Sequence, residues 1–123
     1  MKKERAPITY FALLALRLLR EELRDQKFRK AREVKFVSGI NITSASNSDK
    51  SWERAICNAI PLLAKSLREQ KIVSIGKLPI PPGVEAAAQV QDQDGPLCLR
   101  VVKAYDVFKG KYHMRIDLGG RTA

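Results

Sequence analysis

The chain has 123 residues, 45% of them apolar and 29% charged, and its 23 Lys and Arg against 13 Asp and Glu leave a formal net charge of +10. Such a composition fits one soluble globular domain with a modest core. Two cysteines and a single histidine fall short of the roughly four N or S ligands of a structural zinc site, and the longest uncharged stretch, Ala6 to Leu16, is far below the roughly 20 residues that span a bilayer.

Lys2 and Lys3 followed by Ile8 to Leu16 imitate an export signal, but Arg17 and Arg20 interrupt the apolar run and no small-residue cleavage site follows. The chain therefore reads as cytoplasmic, with Cys57 and Cys98, both inside apolar patterns, as buried free thiols. Pro7 suits the first turn of a helix, and Ile8, Phe11, Ala12, Ala15, Leu18, Leu19 and Leu23 repeat at helical spacing, so a first helix is expected over about 7–33. It is apolar almost all round between Ile8 and Leu19, which implies a homodimer with Phe11, Leu14 and Leu18 near the interface.

Charge is unevenly placed along this segment. Residues 1–36 carry eleven Lys or Arg against five acids, a net +6 of the total +10. At 100° per residue, Arg17, Arg20, Arg24 and Lys27 fall within about 80° of one another, a basic stripe away from the apolar face. Arginine outnumbers lysine between residues 17 and 32, and arginine is the better bidentate partner for phosphate.

Val34 to Val37 reads as a short strand or a helix tail, and Ser38 to Ser48 as a Ser/Asn/Gly-rich loop. Ser48, Asp49 or Ser51 can cap a second helix over about 50–70. Its apolar face is Trp52, Ile56, Ala59, Ile60, Leu63 and Leu67, and Arg54, Lys65 and Arg68 lie opposite. Pro61 inside this pattern predicts a kink or a break.

From Lys71 the period changes to two. Strands are expected over about 71–76, 84–91, 97–108 and 112–118, with Gly119 to Ala123 a frayed tail. The last two form a hairpin closed at Lys109-Gly110 or at a three-residue loop. A two-residue turn would set Val101 opposite Leu118, Tyr105 opposite Met114 and Val107 opposite Tyr112 on an apolar face, and Asp106 opposite His113, Ala104 opposite Arg115 and Val102 opposite Asp117 on a charged one. The expected fold is α+β, two N-terminal amphipathic helices on one face of a three- to four-stranded antiparallel sheet.

The run Leu63-Ala64-Lys65-Ser66-Leu67-Arg68-Glu69-Gln70-Lys71-Ile72-Val73-Ser74-Ile75-Gly76-Lys77-Leu78 resembles the helix-into-strand passage of bacterial histone-like HU proteins. The resemblance covers under a quarter of the chain, which lacks the Arg/Pro/Gly-rich DNA-embracing arm of that family and a helix after the last strand. It implies a nucleic-acid partner.

Chemistry near neutral pH would centre on His113, with Asp106 to orient it, Arg115 on the same face and Lys103, Lys109, Lys111 and Tyr112 nearby. That set is compatible with a small ribonuclease toxin. An exposed strand histidine beside a cross-strand aspartate is, however, ordinary sheet surface, and that reading is preferred. No GxSxG, Walker loop or GxGxxG occurs, and no cofactor or metal is expected. The leading expectation is a non-enzymatic basic protein that grips the phosphate backbone of duplex DNA or structured RNA through Arg17, Arg20, Arg24, Lys27, Arg54, Lys65 and Arg68. A small inhibitor or adaptor docking on an acidic protein surface is the alternative.

Overall fold

A computed structural model describes residues 6–44, 48–79, 86–92, 95–106 and 108–123. Two helices, α1 (Ile8–Glu22) and α2 (Asp49–Glu69), accompany strands β1 (Arg29–Lys30), β2 (Lys35–Thr43), β3 (Ile72–Gly76), β4 (Ala86–Gln91), β5 (Cys98–Asp106) and β6 (Lys111–Thr122). The α+β class stands, but the sheet is larger than three or four antiparallel strands. Its six described strands are mixed, because β1 runs parallel to β3.

The first helix stops at Glu22, well before residue 33. Beyond Leu23, which is buried, the segment Arg24 to Glu33 offers only Phe28 and Ala31 as apolar side chains. A helix held by tertiary packing has too little there to pack with. Arg68 closes the end by donating to the Glu22 carbonyl at 2.6 Å.

In the second helix the break at Pro61 is not taken. Trp52, Ile56, Ala59 and Ile60 before it, and Leu63, Ala64 and Leu67 after it, are all buried. Pro61 and Cys57, four residues earlier, both lie on the exposed side, so the missing hydrogen bond falls where water reaches the backbone. The same phase corrects one thiol: Cys57 is exposed and only Cys98 is buried.

Most of the expected 38–48 loop and the expected frayed tail belong to strands, and the former continues the 34–37 segment read as a short strand or a helix tail. Residues 35–43 form β2, in which Ile40 and Ile42 alternate with Gly39, Asn41 and Thr43; residues 45–47 of the expected loop lie outside the described residues. The expected frayed tail is the end of β6, and Gly119 and Gly120 are buried. A Cβ on Gly119 would lie 2.7 Å from Leu78 Cγ, and one on Gly120 2.6 Å from the Ser74 carbonyl oxygen. Bare backbone is what lets neighbours close in on both sides.

The hairpin register also differs. Asp106 pairs with Lys111, Tyr105 with Tyr112 and Val101 with Ile116, so residues 107–110 form the connection and Gly110 takes a φ of 63°. Val107 lies outside the described residues. The shift is an even number of positions, so every side chain keeps its face. Met114, Ile116 and Leu118 of β6, with Leu99 and Val101 of β5 and Ile42 of β2, are buried in one core with both helices.

Strand β6 is the axis of the sheet. Met114 to Asp117 pair with β2 on one edge and with β5 on the other, and Gly119 and Gly120 pair with β2 and β3. Thus β5 and β3 take the same edge of β6 in succession, and the sheet forks at Leu118. Leu78 and Pro79, leaving β3, cross the outer face at the fork, where their carbonyls accept from Gln89 and Arg100.

The apolar girth of α1 is used within the monomer. Phe11, Ala12, Ala15, Leu16 and Leu19 are buried and Leu14 and Leu18 pack against the core, which removes Phe11 from any interface with a second copy. No helix among the described residues is long and apolar enough to cross a membrane.

Candidate nucleic-acid interface

The helices lie side by side and parallel. At their N-termini the Ala6 amide donates to Asp49 Oδ2 at 3.1 Å and the Tyr10 hydroxyl to Glu53 Oε1 at 2.7 Å. At the other end Arg68 bonds the Glu22 carbonyl and pairs with Asp25 at 2.8 Å. Both helices therefore point their negative C-terminal dipole ends the same way, and cations are stabilised there. The bond from Arg68 holds the Asp25 carboxyl below the usual carboxylate range.

This geometry redistributes the expected binding residues. Arg17 and Arg20 are exposed on α1, Arg24 belongs to the turn after it, and Lys27 to the following loop, so the four do not share one helix. Arg20 pairs with Asp92 at 3.1 Å. On α2, Arg68 is tied to α1, Lys65 lies 3.9 Å from Glu69, and Arg54 is exposed nearer the opposite end. Arg20, Arg68 and Lys65 thus have local electrostatic work within the fold.

A second group of cations has none. Arg29, Lys30, Arg32, Lys35, Lys77 and Arg121 are all exposed, and among the described residues none of the six makes an ion pair. Parallel pairing sets Arg29 beside Ser74, and Ser74 faces Arg121, so one row across three strands carries two arginines. The next row runs Lys30, Ile75, Gly120, Lys35. A cavity of about 440 Å³ opens there, lined by Glu33, Lys35, Val37, Gly120, Arg121 and Thr122. Lys71 follows α2, and its carbonyl accepts from the Ala123 amide, so the C-terminus of α2 adjoins the close of β6. Sequence reading missed Arg29, Lys30 and Arg32 because it assigned 24–33 to a helix, and Lys35 and Arg121 because only strand pairing brings them beside β3. The loss of apolar positions after Leu23 was the available signal.

The outer face of the sheet holds a separate charged cluster. Asp117 is fully buried and accepts from Arg100 at 2.7 Å and Arg115 at 2.6 Å; Arg115 also donates to Asn41 at 3.1 Å and lies 4.8 Å from the Phe36 ring centroid. Arg115, expected beside His113 as a catalytic cation, is thereby engaged in structure. His113 stands opposite Ala104 and Thr43, while Asp106 stands opposite Lys111, so Asp106 and His113 are diagonal rather than directly opposite in the ladder. Lys103 reaches over the Trp52 and Tyr112 rings at 5.7 and 4.8 Å, on the helix side. Lys103 and Tyr112, expected near His113, are therefore on the opposite face of the sheet from His113 and Arg115.

No protein-family model, curated protein or solved structure matches the chain.

Proposed function

We propose that this chain is a small basic nucleic-acid-binding protein that contacts the phosphate backbone without catalysis, through the part of the sheet built from β1, β3, the start of β2 and the second half of β6. The observation that carries the reading is a group of exposed cations, Arg29, Lys30, Arg32, Lys35, Lys77 and Arg121, none of which makes an ion pair among the described residues; Glu33 is the one acid that lines the cavity beside Lys35 and Arg121. Cations on an edge strand also discourage strand-to-strand aggregation. These six, however, extend beyond the two residues of β1 onto neighbouring strands and connections. A field of one sign, unrelieved by partners, favours a polyanion. Arg24 and Lys27 border this surface, and Arg17 and Arg54 are peripheral to it.

The test is a salt series of binding to duplex DNA, duplex RNA and single strands. Each true phosphate contact converted to alanine is expected to lower affinity alike across sequences and to reduce the salt slope by about one. Arg29→Ala, Lys35→Ala and Arg121→Ala should do so, and Arg54→Ala should not. His113→Ala should leave affinity unchanged. A binding slope near zero for all nucleic acids would instead direct attention to an acidic protein partner. Pairing of two copies remains part of the proposal only through Tyr10 and Leu13, the large apolar side chains that α1 leaves exposed; sedimentation of Leu13→Asp against wild type tests it.

A further inference from the structure

The fork in the sheet leaves a cavity of about 260 Å³ between the two branches, lined on the β1 and β3 side by Lys30, Arg32, Val34, Gly76 and Lys77 and on the β4 and β5 side by Gln91 and Cys98. It exists because β6 exchanges β5 for β3 as its neighbour around Leu118, so the two branches are not hydrogen-bonded to each other across the gap. Gly76 sets one wall: a Cβ there would lie 2.7 Å from Val34 Cγ1 and 3.2 Å from the Ala31 carbonyl oxygen, so glycine lets the 31–34 connection lie flat on β3. The Ala31 amide donates to the Ile75 carbonyl at 3.4 Å, holding Arg32 at the rim.

Its chemistry is one-sided. Three of the lining side chains are cationic, none of those described is acidic, and Gln91 adds an amide donor. Burial raises the Cys98 thiol, and the charge of Lys77 works against that rise. Cations converging from two different connections on a concave site, with an amide opposite, match a tetrahedral oxyanion better than a flat surface does.

We propose that this cavity is a phosphate-binding pocket, with Lys30, Arg32 and Lys77 as the charged ligands and Gln91 as a neutral donor. The inference deepens the nucleic-acid reading and rests on it only for the source of the phosphate, which is either one backbone phosphate of a bound strand or a free phosphate or phosphomonoester.

The experiment is an amide NMR titration of the intact chain with inorganic phosphate against chloride at equal ionic strength. Expected are saturable shifts at Gly76, Lys77, Gln91 and Cys98, with a dissociation constant raised about tenfold or more by Lys77→Ala and by Arg32→Ala, the loss of one charge-assisted hydrogen bond each. Both side chains are exposed, and exposed substitutions of this kind leave folding nearly unchanged; the dispersion of the same spectra verifies it. Phosphate shifts that match those of chloride, or that persist undiminished in the Lys30→Ala, Arg32→Ala, Lys77→Ala triple variant, overturn the pocket. Adding a duplex to the phosphate-loaded protein separates the sources. Displacement of phosphate assigns the pocket to a backbone phosphate. Phosphate binding with no duplex binding upholds the pocket for free phosphate while the nucleic-acid reading fails.

Discussion

Gly39 lies directly across the ladder from Asp117, and a Cβ on Gly39 would overlap the Asp117 carboxylate. The glycine is thus the space in which a fully buried acid and its two arginines are assembled. Gly39→Ala is expected to cost about 2 kcal/mol by overpacking. Asp117→Ala, which leaves two guanidiniums facing each other without their shared anion, should cost about 3 kcal/mol, and Arg115→Ala, with a side chain 37% exposed, about 1 kcal/mol. Urea denaturation should return that order. An Arg115→Ala cost above that of Asp117→Ala would mean that the cluster is not organised around the acid.

The two glycines near the end of β6 should differ in tolerance. A new methyl at Gly119 meets the Leu78 side chain, which can turn, whereas one at Gly120 meets the Ser74 carbonyl, which is fixed by the ladder. Gly120→Ala should therefore lower the thermal midpoint more than Gly119→Ala, and removal of residues 119–123 should abolish cooperative unfolding, since it takes away the pairing partner of β3.

Thiol chemistry distinguishes the cysteines. Cys57 is exposed, while Cys98 is buried and its thiol is pushed up by that burial. Reaction with an aromatic disulfide reagent near pH 8 should modify one thiol quickly, and Cys57→Ser should show almost none until denaturant is added. Rapid modification in Cys57→Ser would show that the β5 edge opens.

Lys71, at the close of α2, has a φ of 53°, in the left-handed region that glycine adopts without penalty. Its amide still donates to the Arg68 carbonyl at 3.1 Å. Lys71→Gly should stabilise the protein by about 1 kcal/mol, and an equilibrium urea curve measures it.

Opposite pH dependences are expected at the two ends of the helix pair. Tyr10 donates to the Glu53 carboxylate, which raises its phenol above the ordinary value near 10. A raised group contributes fully below the unfolded value and loses its contribution as pH rises through the folded one, so the stability gap between wild type and Tyr10→Phe should close above about pH 10. Asp25 is lowered by its bond from Arg68. Its contribution is present above the unfolded value near 4 and is lost as pH falls through the lowered value, so the gap to Asp25→Asn should persist at pH 5 and close under stronger acid. Urea midpoints across both ranges decide each case.

What the sequence determined by itself is what local periodicity encodes. The apolar faces of α1 and α2, the alternation in β5 and β6 and the face each of their side chains takes were all legible, and the faces survived an error in hairpin register because a slip of two positions preserves a period of two. The tertiary structure decided the rest. Where α1 ends depended on whether core remained to pack against beyond Leu23. Whether Lys35 to Thr43 and Gly119 to Thr122 are strands depended on the partners that flank them, since glycine, serine and asparagine join a ladder only when neighbouring backbone is at hand to pair with them. The cationic end likewise draws Arg29 and Lys35, Lys77 and Arg121 from distant stretches of chain, brought together by the exchange of strands along β6, a relationship between edges that no local pattern of residues contains.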